Sequence, residues 1–150
     1  MVGVDRQKRN YKTQEVFTPD WMVKTTLKGV PEYIDLDSVC LDRAVGDGQF
    51  AAKILIAKML HRQKHSGMSI HESFVCSLDE IFGVDIEREN VEICRERLLC
   101  GCTDPDIVAL VHRRILIGNC LQPNEHVDGQ TGQDHQLMKK YFTLNLIDFS

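Results

Sequence analysis

Leu41-Asp42-Arg43-Ala44-Val45-Gly46-Asp47-Gly48-Gln49-Phe50 is the stretch that decides how this chain is read. A short apolar run, Ser38-Val39-Cys40-Leu41-Asp42, leads into it, and a breaker-free apolar segment from Gln49 to about Lys64 leaves it. The first suits a buried strand and the second a helix. The glycines between them let the backbone turn sharply and approach a ligand closely. Gly46-Asp47-Gly48-Gln49-Phe50-Ala51 also satisfies a Gly-x-Gly-x-x-Ala pattern. Taken alone, that pattern is equally a steric device of strand-to-helix turns.

Further along, Ile81-Phe82-Gly83-Val84-Asp85 is a second apolar run ending in an acid, and Ile115-Leu116-Ile117 before Gly118-Asn119 is a third. Between them, Glu87 to Cys100 carries Val91, Cys94 and Leu98 along one helical stripe. Strand, helix, strand, helix, strand at this spacing predicts right-handed crossovers and a parallel sheet. His65 to Ser73 is polar and reads as a surface loop, while Ile107 to Val111 suits a short helix or an extended segment. Before the first strand, Thr18-Pro19-Asp20 announces a helix over Pro19 to Leu27, closed by Gly29 and Pro31. Residues 1–12 are polar and are expected as an arm. Residues 122–135 are turn-rich, and Met138 to Phe149 is apolar enough to pack as either kind of element.

A length of 150 residues corresponds to one domain with a real core. With 43% hydrophobic and 27% charged residues the chain is not of the disordered type. No apolar run approaches the ~18 residues of a membrane helix, and the charged opening does not resemble a secretory signal. A cytoplasmic protein without membrane contact is expected. The net charge of −4 does not announce a polyanion binder. Cys40, Cys76, Cys94, Cys100, Cys102 and Cys120 are expected as reduced, mostly buried thiols. Cys100-Gly-Cys102 lacks zinc-knuckle spacing, and His61 with His65 supplies only two ligands on one helix face, so no metal is expected.

Ligands of open α/β sheets bind beyond the carboxyl ends of the strands. Those ends are Asp42–Gly48, Asp85–Ile86 and Gly118–Leu121. Asp42 and Asp47 flank the glycines, where they would repel a pyrophosphate and attract a sulfonium and an ammonium. That charge pattern favours S-adenosylmethionine over NAD. Asp85 stands 37 residues after Gly48, where it can hold ribose hydroxyls or cap the helix that follows. Asn119 can bond an adenine amino group or simply finish a turn.

Four motifs in order make the chain similar to the amino-terminal half of the adenine-N6 DNA methyltransferases. They are Asn10-Tyr11-Lys12-Thr13-Gln14-Glu15-Val16-Phe17-Thr18-Pro19, then Leu41 to Phe50, then Gly83-Val84-Asp85-Ile86, then Gly118-Asn119-Cys120-Leu121. The resemblance implies a class I methyltransferase-like (Rossmann-like) three-layer sandwich, here shortened after the third or fourth strand. It also implies S-adenosylmethionine as cofactor and DNA as partner, in a phage or restriction-modification setting. Phe17, Thr18 and Pro19 would pack around the cofactor, with Thr18 near its carboxylate. Asp42, Ala44, Gly46 and Gly48 would line the methionine end, and Phe50 would pack under the turn. Asp85 would hold the ribose, Ile86 would lie against the adenine, and Asn119 would face its amino group.

The sequence departs from the family pattern in four ways. Arg43 replaces the usual Pro, Val45 the usual Cys and Asn119 the usual Asp. The catalytic Asn/Asp-Pro-Pro-Tyr/Phe motif, which in the family holds the flipped-out adenine, is missing; after Leu121 the sequence has only Pro123. Two functions therefore stay open: a DNA adenine methyltransferase completed by a partner chain, and a catalytically inactive cofactor- or protein-binding module. RNA or protein methylation is a weaker third. In the family's sheet order the first strand is central, so a shortened chain leaves it near an edge. Self-association or a partner chain is expected there.

Overall fold

In the computed structural model, residues 36–143 are described. The polar arm, Phe17, Thr18, Pro19, the helix expected over Pro19–Leu27 and the tail from Leu144 lie outside the described residues. Three apolar runs form a parallel sheet of order β1-β2-β3, made of β1 (Cys40–Asp42), β2 (Ile81–Asp85) and β3 (Ile115–Ile117). Leu41 pairs with Phe82, and Val84 pairs with Leu116. Asp42 therefore lies level with Gly83, and Asp85 with Ile117. The ends named above stand side by side on one edge of the sheet.

Each crossover carries two helices. Between β1 and β2 run α1 (Gln49–Ser66) and α2 (Ile70–Asp79). The polar stretch expected as a loop over His65–Ser73 is thus mostly helical. Ser69 Oγ accepts the Glu72 N–H at 3.1 Å, and Gly67 in the left-handed region ends α1. Three residues suffice for the turn, and the polar composition belongs to a helix start. Between β2 and β3 run α3 (Arg88–Leu99) and α4 (Pro105–Arg114). The ambiguous Ile107–Val111 segment is helix because Asp104 caps it through the Asp106 N–H at 2.9 Å and Pro105 opens it. After β3 comes α5 (Gly132–Met138), continued by a π-helical turn over Lys139–Thr143.

Strand alternation divides the core in two. Ile81, Ile115 and Ile117 pack against Ile54 and Leu55 of α1, Leu78 of α2, Val91 and Leu98 of α3, and Val111 of α4. On the opposite side, Val84 and Leu116 meet Met138 and Phe142. Both faces of the sheet are buried, as an all-parallel sheet requires. Lys58, in the middle of apolar α1, is fully buried; its Nζ donates to the carbonyls of Leu36 at 3.0 Å and Ser38 at 2.6 Å. Glu80, 3.4 Å away, balances its charge. The approach to β1 is pinned by this ammonium. All six cysteines are free, but only Cys94 is buried; Cys100 is exposed and the other four are half-buried. Cys100 is exposed because it closes α3 in a left-handed conformation at the surface.

Candidate functional site

The turn after β1 is built by two different glycines. Gly46 (φ 58°) has open space where a side chain would stand, and its N–H donates to Asp85 Oδ2 at 3.0 Å. Gly48 (φ 85°) is buried, and a Cβ there would stand 2.6 Å from Cys94 Sγ and 2.9 Å from Cys94 Cα. One glycine faces the strand ends. The other lets the start of α1 lie against α3. Val45, where the family pattern has Cys, is buried with its methyl where a Cβ on Gly83 would fall, 2.7 Å away. Gly83 is thus the seat of the turn on the sheet.

Asp85 joins the ends of β1 and β2. Its Oδ1 accepts the Glu87 N–H at 2.8 Å and the Asn90 amide at 3.3 Å, and its Oδ2 takes Gly46. A carboxylate offers about four acceptor positions, so three are used in bracing the turn and the start of α3. The helix-start role considered from sequence is present, together with a tie to the glycine turn that local reading does not show. Ile86, the next residue, is 53% exposed.

The two aspartates flanking the glycines have separate fates. Asp47 is buried, and its carboxylate lies 3.4 Å from Arg97, which also donates to the Asp47 carbonyl at 3.1 Å. Its charge is balanced from α3 and does not stand open to a ligand. Asp42 is half-buried, with Oδ1 accepting the Ala44 N–H at 3.0 Å. Burial pushes its carboxyl above the ordinary 3.8, the Ala44 bond draws it back, and the Asp85 charge raises it again. Burial pushes the Cys94 thiol up to about 12, with the charges of Asp42 and Asp47 adding to the effect. That thiol is an inert packing group at neutral pH.

At the end of β3, Asn119 Oδ1 accepts the Leu121 N–H at 3.0 Å, the turn role considered from sequence. Gly118 precedes it because Met138 fills the place of a side chain, with its Sδ 2.6 Å from the position of a Cβ. A groove of about 450 Å³ runs beside β1 and the turn; Asp42, Arg43, Ala44, Gly46, Asp47 and Phe50 are among its lining residues. The structure thus brings Asp42, Ala44, Gly46 and Phe50 to one groove and ties Asp85 to it. It leaves Ile86 and Asn119 on the neighbouring strand ends and Gly48 inside the packing. Phe17, Thr18 and Pro19 lie outside the described residues. Sequence reasoning missed Arg97, whose signal is its place one turn beyond Cys94 on the same helix. Among the described residues no group of three or more His, Cys, Asp or Glu is arranged to hold a metal, and no helix is long and apolar enough to cross a membrane.

No family model, no curated protein and no solved structure matches this chain.

Proposed function

We propose that this chain binds S-adenosylmethionine at the carboxyl ends of its strands and is a DNA adenine-N6 methyltransferase-like protein of the class I (Rossmann-like) three-layer kind. The observation that carries the reading is the 3.0 Å bond from the Gly46 N–H to Asp85 Oδ2. It makes the glycine turn and the acid of the next strand one preorganised unit. In such a site the turn holds the methionine end of the cofactor and the acid holds the ribose.

The residues present fit that cofactor. Asp85 keeps one acceptor position for a ribose hydroxyl, and exposed Ile86 offers an apolar face to a flat ring. The Asn119 carbonyl has a second lone pair beyond the one given to Leu121. When bound, S-adenosylmethionine supplies an electrophilic methyl group; the chain's part is to position it and keep its cations beside carboxylates. Calorimetry with the cofactor tests this. Wild type should bind, and Ile86→Ser should bind about tenfold more weakly, with an unchanged melting temperature because Ile86 is exposed. Absence of binding by folded protein at about 1 mM cofactor, a Kd too weak for a working site, would sink the proposal.

The missing Asn/Asp-Pro-Pro-Tyr/Phe motif supports a second reading, a cofactor- or protein-binding module without transfer activity of its own. No other stretch of the sequence carries that motif, whose stacking aromatic and adjacent carbonyls hold an extruded base in the resembling family. The purified chain should therefore transfer no labelled methyl to DNA unless a partner chain is added. Incorporation into adenine by the chain alone would exclude the module reading.

A further inference from the structure

The charges at the strand ends have an odd member. Arg43 is exposed, lines the groove, and stands where the resembling family carries a proline. Arg62, Arg88, Arg95, Arg97 and Arg114 each have a carboxylate partner, and Arg113, on α4, does not line the groove. Arg43 has neither a hydrogen bond nor an ion pair among the described residues. Its charge is felt at Cys120, beyond the end of β3, where it partly offsets the burial that raises that thiol. The guanidinium lines the groove beside β1 and the turn, next to Asp42.

With Asp47 paired to Arg97, the groove presents Asp42 and Arg43, one carboxylate and one guanidinium. The amino-acid end of S-adenosylmethionine carries the opposite pair, an ammonium and a carboxylate. We infer that Arg43 binds the α-carboxylate of the cofactor and makes the site selective for ligands that retain the whole amino-acid group. A planar guanidinium can take a carboxylate through two parallel N–H bonds, which a proline at this position cannot do. The inference rests on the S-adenosylmethionine reading and goes beyond it, since it gives the cofactor's carboxylate a partner among the described residues.

The test uses the full chain and two ligands: S-adenosylmethionine and its decarboxylated form, which keeps the sulfonium, ribose and adenine. Wild type should prefer the intact cofactor. Arg43→Gln should weaken the intact cofactor about tenfold, the size of one lost charge-assisted interaction, and leave the decarboxylated form within about twofold. Arg43→Lys should recover part of the loss. Equal weakening of both ligands, or no weakening of either, would overturn the assignment while leaving the cofactor reading intact. If neither ligand binds folded wild type, the reading and the inference fall together. Arg43 is exposed, so circular dichroism should show every variant folded.

Discussion

Two arginines stand at opposite edges of the same small sheet, and they are used in opposite ways. Arg95, on α3, is buried at the outer edge of β3, where Nε and Nη2 donate to the Ile115 carbonyl at 3.0 and 2.7 Å. Nη2 also lies 3.3 Å from both oxygens of Asp134. Asp134 accepts the Ile117 N–H at 3.1 Å, Gln130 donates to the Ile117 carbonyl at 2.7 Å, and the Ile115 N–H returns to Val111. The outward polar groups of Ile115 and Ile117 are thus satisfied by side chains and a helix end, which closes that edge to further strands. At the β1 edge there is a groove and an exposed Arg43. Residues so alike in chemistry differ here in neighbourhood alone: one arginine completes the fold, the other lines an open groove.

The largest expected effect breaks the closed edge. Arg95→Ala leaves Asp134 buried without its cation and the Ile115 carbonyl without its donor. It should cost about 3–5 kcal/mol in urea unfolding; a loss under about 1 kcal/mol would mean the edge is held otherwise. Arg43→Gln in the same assay should leave stability unchanged, and that contrast is the comparison in its sharpest form.

The next effect separates the two glycines of the turn. Gly48→Ala meets Cys94 and a left-handed backbone together, and should cost about 2–4 kcal/mol. Gly46→Ala has room for the methyl, so only the backbone term of about 1–2 kcal/mol remains. Equal losses would deny that Gly48 is a packing glycine. Cofactor binding, measured on whichever variant stays folded, should suffer more at Gly46, the residue tied to Asp85.

The smallest effect concerns Asp42 and has a sign of its own. Its carboxyl is raised above 3.8, mainly by burial, so the folded chain takes up this proton more readily than the unfolded one. The favourable contribution is complete below about pH 3.8, the unfolded value, and is lost as pH rises through the raised native value. Asp42→Asn should therefore be more stable than wild type at pH 7, with the advantage vanishing toward pH 3. It should also bind S-adenosylmethionine more weakly, because a carboxylate facing the cations is gone. A variant both less stable and tighter-binding at neutral pH would reverse the assignment.

Legibility followed the range of the interaction. The three strands, the glycine turn, α1 and α3 were readable because each is set by neighbours in the chain: apolar runs, breakers and a repeating stripe. His65–Ser73, which includes the first turn of α2, reads as loop because it is polar, although Ser69 and Glu72 are a usable start signal. Ile107–Val111 suits helix or extended chain by pattern alone, and the Asp104 cap makes it α4. Only one of the six cysteines is buried, because apolar flanks do not say on which side of a helix or strand a thiol falls.

For the candidate site, the sequence by itself determined that Asp42 and Asp85 end the first two strands, that glycines follow the first, and that Asn119 stands just beyond the third. It also determined that the Asn/Asp-Pro-Pro-Tyr/Phe motif does not occur in the sequence. Only the tertiary structure decided what those residues touch. It placed the Asp85 carboxylate on Gly46, 39 positions away, and turned Asp47 toward Arg97, 50 positions away. It also made Gly83 the seat of Val45 and Gly118 the seat of Met138. The physical reason is that hydrophobic periodicity is a local property repeated along the chain, whereas a carboxylate's partner is whichever donor the packing of the helices brings within about 3 Å. That choice is made by the fold as a whole, and it is why one aspartate of the turn remains available to a ligand while the other does not.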